Sequence, residues 1–125
     1  MTDRQLKALI KKLFVRWVRI CQLDRGWEIR LSFDEEADRG NVDTLAQTWV
    51  DWEYMNAGIT FHLPAMRTAF ESTIENAVVH ELCHILLAQG VDGAFGKNVE
   101  RSTTMVTNAL LSAAKPSFTS AGAPK

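Results

Sequence analysis

Ile74-Glu75-Asn76-Ala77-Val78-Val79-His80-Glu81-Leu82-Cys83-His84-Ile85-Leu86-Leu87-Ala88 is a largely apolar run that carries two histidines four residues apart. At about 100° per residue, an α-helix turns such a pair to within about 40° of each other and separates them by roughly 6 Å along its axis, so one cation can bridge both rings. Ile74, Val78, Leu82 and Ile85 then fall on the opposite side. The stretch predicts a helix buried on its back and carrying imidazoles on its front. Glu81 follows His80 in a His-Glu-x-x-His pattern, where its carboxylate sits beside the ion and can take a proton from a metal-bound water. The plainer reading is two ordinary histidines hydrogen-bonded in a core. Cys83 lies about 80° off the bisector of the histidine directions and reads as packing.

Outward from this helix, the pattern predicts an α+β domain. An amphipathic helix is expected from Asp3 to Leu23, with Leu6, Leu9, Ile10, Leu13, Phe14, Trp17, Ile20 and Cys21 on one face and Arg4, Lys7, Lys11, Lys12 and Arg19 mostly off it. Trp27 to Phe33 alternates as a half-buried strand. The acidic run Asp34 to Asn41 reads as a loop. A second strand is expected from Val42 to Tyr54, with Ala46, Thr48, Val50, Trp52 and Tyr54 on one face. Asn56-Ala57-Gly58 supplies turn chemistry into a third strand, Ile59 to Leu63, which Pro64 stops. The expected sheet is therefore small and three-stranded, with an antiparallel hairpin.

Two capping boxes compete for the start of the motif helix, Thr68 with Glu71 and Ser72 with Glu75. Gly90 ends it, and Val91 to Lys97, with Gly93 and Gly96, resists helix formation. A C-terminal helix is expected from Asn98, as cap, to Ala114. Residues 1–115 form a single domain in this reading, and the Ser-, Ala-, Gly- and Pro-containing tail at 116–125 is disordered.

The chain has 125 residues, 46% of them hydrophobic and 23% charged, with a formal net charge of -1. These values suit one soluble globular core and give no general case for a nucleic-acid partner. No apolar run approaches the roughly 20 residues of a membrane span, and no secretory leader opens the chain. With Cys21 and Cys83 its two cysteines, an unlinked intracellular, cytoplasmic protein is the expectation. The sequence leaves oligomeric state open.

A catalytic zinc keeps three protein ligands and one open position, so the two histidines need a partner. Glu100 is the best placed, near the start of a helix that the Gly-containing connection lets fold back over the motif. Thr103, Thr104, Thr107 and Asn108 form a polar stripe on that helix, suited to supporting a metal pocket. An exposed first-turn acid complementing the helix dipole is the plainer role for Glu100. Asp92, before Gly93, reads as a turn residue; His62, on the third strand, faces either solvent or the cleft; Glu75 points away from His80.

The motif from His80 to His84, the Gly-containing connection and a helix opening with Glu100 together resemble the gluzincin-type zinc metallopeptidases, in particular the minimal ones encoded as short metallopeptidases in phage and bacterial genomes. The resemblance covers Phe70 to Leu111. It implies a zincin-like fold, Zn2+ held by His80, His84 and Glu100, and Glu81 as general base in the hydrolysis of peptide or protein substrates. It also implies that a peptide lies along the strand Ile59 to Leu63 by adding a strand to it. The chain differs from the metzincin pattern in having Gly90 six residues after His84. It has Thr104 where larger gluzincins place a supporting acid, and neither histidine nor tyrosine follows His84. Tyr54, the single tyrosine, is read as buried against Trp52. Two other classes stay open: a domain that holds zinc or binds peptides without catalysis, and one whose basic first helix, through Lys11 and Lys12, contacts nucleic acid.

Overall fold

The computed structural model describes residues 1–35, 44–88 and 96–114. Helix α1 spans Asp3–Ile20 and is followed by strands β1 (Glu28–Asp34), β2 (Ala46–Asp51) and β3 (Asn56–His62). A short helix α2 (Leu63–Met66), the motif helix α3 (Glu71–Ala88) and helix α4 (Gly96–Ala114) complete the described chain. The architecture is α+β. The expected loop at 36–41, most of the connection between α3 and α4, and the tail lie outside the described residues.

Helix α1 starts where a capping box tells it to. Thr2 Oγ1 accepts from the Gln5 amide, and the Gln5 side chain accepts from the Thr2 amide, so two otherwise orphaned donors are satisfied together. It ends at Ile20 rather than Leu23, because Gln22 adopts a positive φ of 59° and the Leu23 amide turns back to the Val18 carbonyl. Leu6, Ile10, Leu13 and Trp17 are buried and Leu9, Phe14 and Cys21 partly so, as the spacing predicts, but Ile20, at the last turn, is exposed.

The sheet is mixed, in the order β1-β3-β2, with β1 parallel and β2 antiparallel to β3. The antiparallel hairpin is present, but its turn is not at Asn56-Ala57-Gly58. Those residues belong to β3, and the reversal is made by Trp52 to Met55, with Met55 at a φ of 56°. Gly58 has another use. An added Cβ would lie 2.2 Å from Trp49 Nε1, so the bare backbone is what lets the Trp49 indole lie across the outer face of the sheet. Trp52 and Tyr54 are therefore turn residues rather than members of the inner row, and Tyr54 is 75% exposed instead of packed against Trp52.

Two strand alternations point one face of the sheet inward. Ala46, Ala57, Ile59 and Phe61 are buried, with Ile29, Leu31, Phe33 and Val50 partly so, and they share one core with α1 and α3. Trp17 links the two helices, its indole N–H donating to Glu75 Oε2 at 2.7 Å, with Arg16 3.9 Å from the same oxygen. Glu75 thus points to α1, away from the imidazoles. Pro64 ends β3 by opening α2, since a proline in the first turn of a helix needs no donor.

Helix α3 begins at Glu71, and the Ile74 amide donates to the Phe70 carbonyl. Phe70 therefore occupies the cap position, and neither Thr68 nor Ser72 does. Ile74, Val78, Leu82 and Ile85 are completely buried on its back. Helix α4 begins at Gly96, two residues before the expected cap, and packs along α3.

Candidate metal centre

Helical spacing places His80 and His84 side by side on the front of α3, with ring centroids 4.9 Å apart and ring planes at 85°. Both rings are partly buried. Helix α4 brings Glu100 across them. One carboxylate oxygen lies 2.7 Å from His80 Nε2 and the other 3.3 Å from His84 Nε2. The ligand atoms of these three residues all fall within 4.8 Å of one another, which makes them a group able to hold a metal ion.

The donor chemistry fits zinc. Two imidazole nitrogens and one carboxylate oxygen form a set that zinc takes with a fourth position open. Ligands about 2.0–2.1 Å from a tetrahedral ion stand about 3.3 Å from one another, so a group spread over as much as 4.8 Å would draw together on an ion. Glu100 is 58% exposed on its side chain, leaving one side of the group open to solvent.

The polar stripe of α4 divides. Thr103 and Thr107 are buried, whereas Thr104 and Asn108 are exposed. Thr103 Oγ1 stands 3.5 Å from His84 Nδ1, where it can accept a hydrogen bond from the Nδ1–H of the tautomer that leaves Nε2 its lone pair. Thr107 donates to the Thr103 carbonyl at 2.7 Å. Support for the ring comes from the residue before Thr104, which faces the core.

Glu81 is 7% exposed and accepts from Thr48 Oγ1 at 2.6 Å. Thr48 belongs to β2, an outer strand of the sheet whose other side is unpaired among the described residues. This corrects the expected substrate edge: the strand Ile59 to Leu63 is the central one, bonded on both sides, and its main chain has no free edge. Sequence reasoning also missed Thr48 itself. Its one available signal was a hydroxyl in an inner row between Ala46 and Val50.

His62 is not a member of the group. Its Nδ1 lies 3.3 Å from Asp34 Oδ2, and its Nε2 is shielded from solvent without a hydrogen-bond partner among the described residues. Asp92 lies outside the described residues. Cys83 is completely buried, and burial pushes its thiol up from the ordinary range while the Thr107 hydroxyl offsets part of that effect. This agrees with a packing role.

The basic side of α1 is partly engaged within the molecule. Lys7 pairs with Glu35, and the Lys7 and Lys11 ammonium groups lie 5.6 and 6.0 Å from the centroid of the Phe33 ring. Among the described residues no helix is long and apolar enough to cross a membrane.

Comparison with family models, curated proteins and solved structures returned no match. The functional reading therefore rests on the chemistry of the group itself.

Proposed function

We propose that the chain is a zinc-dependent metallopeptidase of zincin-like, gluzincin type, with His80, His84 and Glu100 holding the ion and Glu81 acting as general base. The observation that carries this reading is the meeting of Glu100 with both Nε2 atoms while Glu81, on the same helix, is buried beside an outer strand. A structural zinc site closes all four positions with protein groups; the set of three among the described residues suits chemistry.

Zinc held there would supply Lewis acidity, polarising a scissile carbonyl and lowering the pKa of a water toward about 7. Glu81 would act as the base that takes a proton from the attacking water as its oxygen adds to the carbonyl carbon, and would pass that proton to the amine as the C–N bond breaks. Its shielding from solvent keeps competing water away from the carboxylate. Thr103 fixes the His84 tautomer, so the ring presents a lone pair rather than a proton. A peptide substrate lies along β2, whose outer main-chain groups, unpaired among the described residues, can accept an added strand and whose side chain Thr48 reaches Glu81.

Glu81→Gln tests this. The variant should retain zinc at the wild-type ratio and lose cleavage of a broad peptide library by at least about a hundredfold, the usual contribution of a positioned general base. Equal cleavage by the two proteins would remove Glu81 from the role.

A second reading is a zinc-stapled domain that catalyses nothing. It is favoured by one observation: α4 packs along α3, so an ion between Glu100 and the two histidines would fasten the helix in place. Stoichiometric zinc with no cleavage across the library is its signature.

A further inference from the structure

The inner row of β2 runs Ala46, Thr48, Val50, and its middle member alone carries a hydroxyl. Valine would fill the same volume and suit a strand equally well, so packing does not call for threonine here. The hydroxyl has one visible use. It donates to Glu81 Oε1 at 2.6 Å across 33 residues of chain, joining an outer strand to the front of the motif helix. A carboxylate 7% exposed needs a donor to offset the water it has lost, and a bond to one oxygen also restrains the group and leaves its second oxygen to act as acceptor.

We propose that Thr48 is a positioning residue for the Glu81 base and couples its alignment to peptide docking along β2. This rests on the peptidase reading above. A strand that pairs with β2 restrains the backbone from which Thr48 projects, and so restrains the carboxylate that Thr48 holds. Binding contacts far from the scissile bond are then used at the reacting centre. Peptides too short to span β2 should lose kcat as well as raise KM.

The test compares the full-length wild type with Thr48→Val and Thr48→Ser, each with its zinc content measured, on a peptide taken from the library screen. Thr48→Val should bind zinc as the wild type does, keep its KM, and lose about tenfold in kcat, a share of what a general base contributes. Thr48→Ser, which restores the donor, should recover most of that loss. A second readout needs neither zinc nor turnover. In the metal-free protein, the carbon-13 resonance of the Glu81 carboxyl, identified by its disappearance in Glu81→Gln, should move in Thr48→Val and return in Thr48→Ser. Wild-type kcat in Thr48→Val, or a Glu81 resonance indifferent to both substitutions, overturns the proposal alone. A wild-type chain that takes up zinc and cleaves nothing overturns the peptidase reading and the proposal with it.

Discussion

Replacing Glu100 by alanine separates a ligand from a merely well-placed acid, because the two roles differ in how the variant responds to zinc. Without metal, the Glu100 contacts to His80 and His84 are those of a carboxylate 58% exposed, and such pairs contribute about 0–1 kcal/mol. In chelator, then, Glu100→Ala and wild type should unfold within a few degrees of each other. With zinc at about 100 times the dissociation constant, the wild type gains about 2.7 kcal/mol by mass action. Loss of outer partners alone weakens metal sites by about 10–100-fold, so loss of a direct ligand should reach at least the upper figure. At the same zinc concentration the variant then gains only about 0.4 kcal/mol. For a chain of this size each kcal/mol moves Tm by roughly 3–6 °C. Zinc should therefore raise the wild-type Tm by about 8–16 °C and that of the variant by about 1–3 °C. Differential scanning calorimetry in chelator and in zinc, with elemental analysis of desalted protein, measures both quantities. An equal zinc-induced rise in the two proteins, with one zinc retained by each, would refute the ligand assignment. A difference as large in chelator as in zinc would make Glu100 a structural residue of α4.

Thr103→Val, which cannot accept from His84 Nδ1, should raise the zinc dissociation constant by about tenfold, read by competition with a chromophoric chelator, while Thr103→Ser stays near wild type. Gly58→Ala drives a methyl into the Trp49 indole and should cost about 1–3 kcal/mol in urea denaturation; the cost should largely vanish in a Trp49→Ala background, since the obstruction is one exposed side chain. Burial pushes the Cys21 thiol up to about 11, so the unfolded chain gives up this proton near 9 while the folded one holds it. Its contribution to stability is complete below pH 9 and falls as pH rises toward 11, and Cys21→Ala should flatten that part of a Tm-against-pH curve.

The back of α3 could be read from its spacing because burial on a helix repeats every three or four residues, and Ile74, Val78, Leu82 and Ile85 obey that repeat without competition. Glu100 could be placed for a related reason: it belongs to the helix that follows α3 after a glycine-containing connection. The sheet was harder. Asn56-Ala57-Gly58 carries the residues a tight turn favours, yet Met55 accepts the positive φ and the glycine serves the Trp49 ring, so turn chemistry and turn position came apart. Strand order depends on pairing between segments far apart in the chain, which alternation within one strand does not encode. That is why the alternation within β3 does not show that its edges are both paired, and why the use of Thr48 is hidden: both depend on which strand lies outermost. Thr2 and Gln5 form a Thr-x-x-Gln start signal that the apolar spacing of α1 alone does not bring out.

The mixed order of the sheet also bears on how the molecule comes together. Strand β3 is the last of the three in the chain and the middle one in space, so β1 meets its partner only after 28 further residues have been made. Until then Ile29, Leu31 and Phe33 have no neighbour in the sheet, while β2 and β3 close locally through a four-residue reversal. The hairpin is thus the natural nucleus and the docking of β1 the slow, long-range step. During synthesis, the apolar side of α1 and the inner row of β1 wait together as a sticky segment: His62 completes the partner of β1, and α1 is covered only once α3 has followed.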